Sequence, residues 1–172
     1  MSGGSKDSTN RQSSDGAVIS ECGTYRYSLW REVSPSGSGI CLFIMLNPSV
    51  ADAAEDDPTI RRCIDFTRRW GHRELRVVNL FALRTKEPRE LAGVLDPIGL
   101  GNDRVLHSEI LGADMVVAAW GNRGSLLQRS AIVYAMINGL GKESWHLGLN
   151  KTGEPCHPLY VRSSTRLSPF SC

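Results

Sequence analysis

No stretch of this sequence stays apolar for the roughly 18 residues that a membrane span needs, and the N-terminus carries no signal-peptide core. The five cysteines, Cys22, Cys41, Cys63, Cys156 and Cys172, are odd in number and include no Cys-x-x-Cys pair. A disulfide scaffold and a zinc framework are therefore excluded. Cys41 and Cys63 fall inside apolar patterns and read as small buried hydrophobes, while Cys156 is notable for standing beside His157. There is little charge of either sign in excess: 20 Lys+Arg against 18 Asp+Glu gives +2, too small a field to imply a partner by itself. Phosphate loops and paired carboxylates are also missing. His72, His107 and His146 lack the spacing of a metal site, so no metal and no cofactor are expected. The chain reads as a cytoplasmic protein with no membrane partner.

What remains is an ordinary globular balance over 172 residues, 41% of them hydrophobic, enough for one domain with its own core. Residues 1–16 (MSGGSKDSTNRQSSDG) offer almost nothing to bury and read as a disordered tail; residues 17–172 read as a single domain. Thr24 to Val33 alternates and ends in Ser-Pro-Ser-Gly, a strand followed by a turn. Three short runs are continuously apolar: Ile40 to Leu46, Leu75 to Leu80 and Met115 to Trp120. Continuous apolarity marks strands covered on both faces, as in a parallel sheet, and Trp145 to Leu149 reads as a fourth. Asp57-Pro58 opens a helix striped by Ile60, Cys63, Ile64, Thr67 and Trp70. Asn102 or Asp103 caps a second helix, and a third is expected from Ser125 to about Gly139. This alternation predicts an α/β fold, a three-layer α/β/α sandwich around a central, mainly parallel four-stranded sheet.

Open parallel sheets bind ligands outside the carboxyl ends of their strands. Asn47-Pro48-Ser49 follows the first run, Asn79 ends the second, Gly121-Asn122-Arg123 follows the third, and Asn150 and His157 follow the fourth. A rim of amides and an imidazole suits a flat hydrogen-bonding ligand such as a nucleobase, since Asn both donates and accepts and His titrates near neutrality. Each residue also has a plainer reading. Asn47 could form an Asx turn before Pro48, Asn79 could brace a loop, His157 could sit in a surface loop, and Asp56 and Asp57 could merely start a helix. Arg61, Arg62, Arg68, Arg69, Arg73 and Arg76 crowd one stretch, and Arg123, Arg162 and Arg166 flank the other loops. Either phosphate contact or a solvated face accounts for them.

The motifs LNPS (Leu46 to Ser49), VVNLFA (Val77 to Ala82), AWGN (Ala119 to Asn122) and CHPL (Cys156 to Leu159) occur in series. In this order the chain resembles a bacterial and phage domain family of uncharacterised function that carries the same series. It also resembles, remotely, the uracil-DNA glycosylase superfamily over roughly Leu42 to Leu159. That resemblance implies a uracil-DNA-glycosylase-like fold and a monofunctional DNA glycosylase that leaves an abasic site. Asn47 would hold the attacking water, Asn79 would read the flipped base, and His157 would donate to the base oxygen. Asn cannot take a proton, so Asp52, Asp56 or Asp57 could supply negative charge. Leu46, Pro48, Ser49, Phe81, Trp120 and Asn122 would complete the base pocket, and Arg61, Arg62, Arg123 and Arg162 would meet DNA. Met45 stands where the superfamily usually has Gly, and the late motif is HPL rather than His-Pro-Ser-Pro. Ser49 replaces the large aromatic of the uracil-specific branch, which implies room for a 5-modified pyrimidine such as hydroxymethylcytosine or its glucosylated form in phage DNA. The expected enzyme is a monomer acting in antiviral defence. The alternatives are a non-catalytic module that senses modified bases and a nucleoside or nucleotide hydrolase.

Overall fold

The computed structural model describes residues 15–49 and 56–171. Its sheet has seven strands, not four: β1 (Gly16–Ile19), β2 (Arg26–Glu32), β3 (Ile40–Met45), β4 (Glu74–Asn79), β5 (Met115–Ala118), β6 (Ser144–His146) and β7 (Ser168–Pro169). They lie in the order β1-β2-β4-β3-β5-β6-β7. The pairs β3–β4, β3–β5 and β5–β6 are parallel. The additional pairs β1–β2, β2–β4 and β6–β7 are antiparallel and make the sheet mixed. β1 and β7 escape a periodicity reading because they are four and two residues long and lie at the two edges. β1 begins at Gly16, inside the segment read as a tail; the rest of that segment, residues 1–14, lies outside the described residues.

Continuous apolarity in β3 has a direct structural cause. Successive side chains of a strand point to opposite faces, and each face of this sheet carries its own core. Leu42 and Ile44 join a cluster with Val78, Val116, Leu106, Ile110, Val133 and Ile137. Cys41, Phe43 and Met45 join another with Val77, Val117, Ile60, Cys63 and Phe66. The first cluster takes its helical residues from α2 (Asn102–Gly112) and α3 (Arg129–Gly139), the second from α1 (Pro58–Arg69). The two cysteines behave as hydrophobes: burial pushes the Cys41 thiol up to about 12 and the Cys63 thiol well above its ordinary value.

Helix starts are where sequence and structure part. α1 starts as expected, Asp57 accepting from Ile60 N at 2.8 Å with Pro58 next. α2 is preceded by Gly101 rather than capped by a side chain, and its first residue, Asn102, turns inward. Asn102 Nδ2 donates to the backbone carbonyls of Asn79 (3.0 Å) and Leu80 (3.2 Å). α3 begins at Arg129 instead of Ser125, because Leu127 and Gln128 have φ of 51° and 57°, a left-handed conformation that no α-helix continues. That kink lets Arg129 point into the core, 2% exposed, where Nε donates to Leu80 O at 3.1 Å and Nη2 pairs with Asp103.

Both helices thus clasp the carbonyls at the end of β4. Asn102→Ala removes the side-chain donor from the buried Asn79 carbonyl and leaves the Leu80 carbonyl to Arg129 alone, and is expected to cost about 1–3 kcal/mol. A urea denaturation midpoint checks this, and an unchanged midpoint would show that the clasp contributes no stability.

Candidate functional site

The in-register pairings put Met45 level with Asn79 and Ile44 level with Ala118. The chain leaving these strands therefore opens on one end of the sheet. A cavity of about 370 Å³ lies there, within the roughly 300–1,000 Å³ of ordinary small-ligand sites. Its wall brings together Asn47, Asn79 and His157, residues 110 positions apart at the extremes, along with Leu46, Ser49, Asp57, Trp120, Asn122 and Arg123.

Asn47 is locked by its own amide. Nδ2 donates to Thr85 O at 2.9 Å and to Pro48 O at 3.0 Å. With both protons committed, only the amide oxygen is left to meet a ligand or a water, as an acceptor. Asn79 is the converse. It is 1% exposed, and its Nδ2 has no hydrogen-bond partner among the described residues. A buried unpaired amide is rare, and this one stands in the wall of a cavity.

His157 precedes the 3-10 turn Pro158–Tyr160, and its Nδ1 accepts from Leu159 N at 3.3 Å. That bond assigns the neutral ring's proton to Nε2. Desolvation holds the imidazole below its usual 6.5, against the opposing pull of the Asp57 carboxylate. Asp57 accepts from Ile60 N through Oδ1 and from Ser49 Oγ, at 3.0 Å, through Oδ2. Ser49 is thereby fixed as a small group on the wall. The Trp120 ring is buried, its Nε1 donating to Glu154. Glu154 also accepts from Ser130 Oγ. Gly124 is required here, because a Cβ would stand 2.2 Å from the Trp120 ring.

Other expected site residues fall elsewhere. Asp56 does not line the cavity; its Oδ1 pairs with Arg31 Nε at 2.9 Å. Phe81 is fully buried in the core with α2 and α3. Pro48 is buried behind the wall, its carbonyl taken by Asn47 and by Thr85 N. Asp52 lies outside the described residues. Arg62 is a brace rather than a free cation. Its Nη2 donates to Val161 O at 2.6 Å and its Nε to Pro158 O at 3.4 Å, holding the turn that carries His157. Arg69 donates to Ser163 O, and Arg76 pairs with Glu74 and Glu109. Arg61 and Arg162 are exposed and off the cavity wall, whereas Arg123 is exposed on its rim. Asn122, also exposed, accepts from Thr152 Oγ1 at 2.9 Å. Cys156 is a free thiol donating to Asn150 Oδ1. No group of residues able to hold a metal ion occurs among the described residues, and no helix there is long and apolar enough to cross a membrane.

Among the wall residues that sequence reading missed are two charges of opposite exposure, the buried Arg26 of β2 and the exposed Lys86. Arg26 carried no signal, being one of three charged residues in an alternating strand. A family model described as "Protein of unknown function (DUF1643)" matches residues 26–159. The chain belongs to the DUF1643 family. No curated protein and no solved structure matches it. The DUF1643 match runs from Arg26 past His157, so every wall residue but Tyr160 falls inside it.

Protonation of His157 is opposed by burial, so the fold binds that proton less well than the unfolded chain does. Stability contributed by the neutral ring is present above about pH 6.5 and drains away as pH falls through the folded-state value. Comparing wild type with His157→Gln, the wild type is expected to lose more Tm between about pH 6.5 and pH 5. An NMR titration of the ring Cε1 proton checks the cause and is expected to give a midpoint below 6.5. A midpoint above 6.5 would mean that the Asp57 charge outweighs desolvation.

Proposed function

We propose that this DUF1643 chain is a DNA glycosylase that hydrolyses the N-glycosidic bond of a flipped pyrimidine, within a three-layer fold of the uracil-DNA glycosylase kind. The observation that carries this reading is the convergence of Asn47, Asn79 and His157 on one cavity, with the Asn79 amide buried and unpaired. An amide held in that state is preorganised to read the edge of a planar heterocycle.

Cleavage builds positive charge on the sugar and negative charge on the departing base. Fixed dipoles in a water-poor cavity stabilise both without reorganising as the bond breaks. The His157 Nε2 proton meets the base oxygen as its charge grows. The Asn47 oxygen, its NH2 already tied down, accepts a hydrogen bond from the attacking water and orients it, and the proton the water loses on attack passes to the departing base anion. Asp57 contributes a negative charge to the same wall, on the side where the sugar cation benefits. Ser49, held small and drawn to Asp57, leaves space beside the pyrimidine C5, which favours a 5-modified base such as hydroxymethylcytosine or its glucosylated form. Such an activity on phage genomes would make the protein an antiviral defence enzyme. Extruding the base costs a few kcal/mol, offset by cavity contacts. Lys86 and Arg123 at the rim are placed for the flanking phosphates.

One observation favours a second reading, a module that senses modified bases without cleaving them. Asp57, the one carboxylate on the cavity wall among the described residues, has both oxygens engaged and is not a free general base. Base release separates the two. DNA containing uracil, hydroxymethylcytosine or glucosylated hydroxymethylcytosine is incubated with the protein, and free bases are measured by mass spectrometry. Release from modified DNA, lowered about 10²–10³-fold in Asn47→Ala and in His157→Ala with DNA affinity kept, is the expected result. Binding to modified DNA without release from any substrate would establish the sensor. In either case the affinity is expected to fall steeply with salt, and Arg123→Ala to reduce that slope.

A further inference from the structure

Arg26 is a buried cation in the cavity wall that pairs with no carboxylate among the described residues. It is 4% exposed, and its Nε has no hydrogen-bond partner among the described residues. The other buried arginines are matched: Arg31 with Asp56 and Arg129 with Asp103. No ion pair among the described residues includes Arg26. Desolvation pulls the guanidinium down to about 10, the Asp57 charge opposing it and the Arg84 and Arg31 charges adding to it. Arg26 is therefore still charged at neutral pH. Burying a charge without a partner is strongly unfavourable, so the group is in place for something that arrives from solution.

Exposure sets the direction of arrival. Arg26, Asn79, Val77 and Met45 form the closed end of the cavity, each 5% exposed or less, whereas Lys86, Asn122, Arg123 and Tyr160 form its open rim. A base tethered to DNA through N1 enters with its C4–C5 edge leading. A guanidinium has five donors and no acceptor. It rejects a leading amine and rewards an oxygen, most of all a charged one, which it grips in a bidentate fork.

We propose that Arg26 is an anion subsite at the closed end of the cavity, and that the bound pyrimidine carries an anionic oxygen group, of carboxylate type, on its C4–C5 edge. This departs from the hydroxymethylated cytosines named above, whose C4 carries an amine and whose C5 group is uncharged, and it rests only on the reading of the cavity as a pyrimidine site. Asn79 then reads the ring beside the anion, and Lys86 and Arg123 remain at the rim for phosphates.

Isothermal titration of the full chain with 5-carboxyuracil, uracil and inorganic phosphate tests the proposal without requiring base release. Wild type is expected to bind 5-carboxyuracil about ten- to a hundredfold more tightly than uracil, the range expected of a charge-assisted hydrogen bond. Arg26→Met is expected to erase that preference, and Arg26→Lys to keep part of it. Because Arg26→Met also removes an unmatched buried charge, its ligand-free Tm is expected to rise above that of wild type, which no purely structural role for the arginine would give. Equal affinity of wild type for the two pyrimidines, or a preference that survives Arg26→Met, overturns the subsite. Arg26-dependent binding of phosphate with neither pyrimidine bound keeps the anion subsite and overturns the pyrimidine.

Discussion

The candidate site depends on how β4 ends. Beyond Asn79 the strand must leave the sheet, yet its backbone carbonyls remain buried and need donors. Asn102 at the start of α2 and Arg129 at the start of α3 supply them from the far side, converging on the Asn79 and Leu80 carbonyls. On the near side, Leu80 N and Phe81 N continue the ladder onto Met45 O and Leu46 O. The backbone of Asn79 is thus held from both directions. Its side-chain amide nitrogen is left buried in the cavity wall without a partner among the described residues.

The same division runs round the wall. Asn47 has spent its donors on Thr85 and Pro48, Asp57 its oxygens on Ile60 and Ser49, and Trp120 its N–H on Glu154. Asn79 Nδ2 and Arg26 Nε have no partners among the described residues, and the tautomer fixed at His157 adds Nε2–H. All three are donors, set against one free acceptor, the Asn47 amide oxygen. A wall that keeps more free donors than acceptors is complementary to a ligand rich in acceptors, whatever happens to that ligand afterwards.

Much of this was legible in the sequence, and the rest was not for identifiable reasons. Three apolar runs became β3, β4 and β5, and the rule that ligands gather beyond the carboxyl ends of parallel strands brought Asn47, Asn79 and His157 together before any coordinates. Edge strands carry too few residues to announce themselves, so β1 and β7 were missed. The kink at Leu127 and Gln128 was hidden because neither residue is a usual left-handed one. Arginines misled in both directions. The crowded stretch from Arg61 to Arg76 looked like a surface for phosphates, but Arg62, Arg69 and Arg76 are engaged in holding loops and balancing glutamates. Arg26, one of three charged residues in β2, gave no signal and turned out to line the cavity. Charge density along a chain counts cations; only burial and pairing tell which ones are free to act.

Unpaired donors are a thermodynamic liability, and their location says what they are for. A buried polar group without a partner costs about 1–3 kcal/mol, a sizeable share of the 5–15 kcal/mol that holds a typical domain together. Two such groups, one of them charged, are held in the same cavity at one end of this sheet. A ligand that satisfies both recovers that cost on binding and stabilises the fold by mass action. It meets donors that are already oriented, so little of its own binding energy goes into ordering them. For a reaction in which charge appears on a departing heterocycle, the same fixed donors become more valuable as the bond lengthens. The feature that weakens the empty protein is therefore the one that would favour the transition state over the bound substrate.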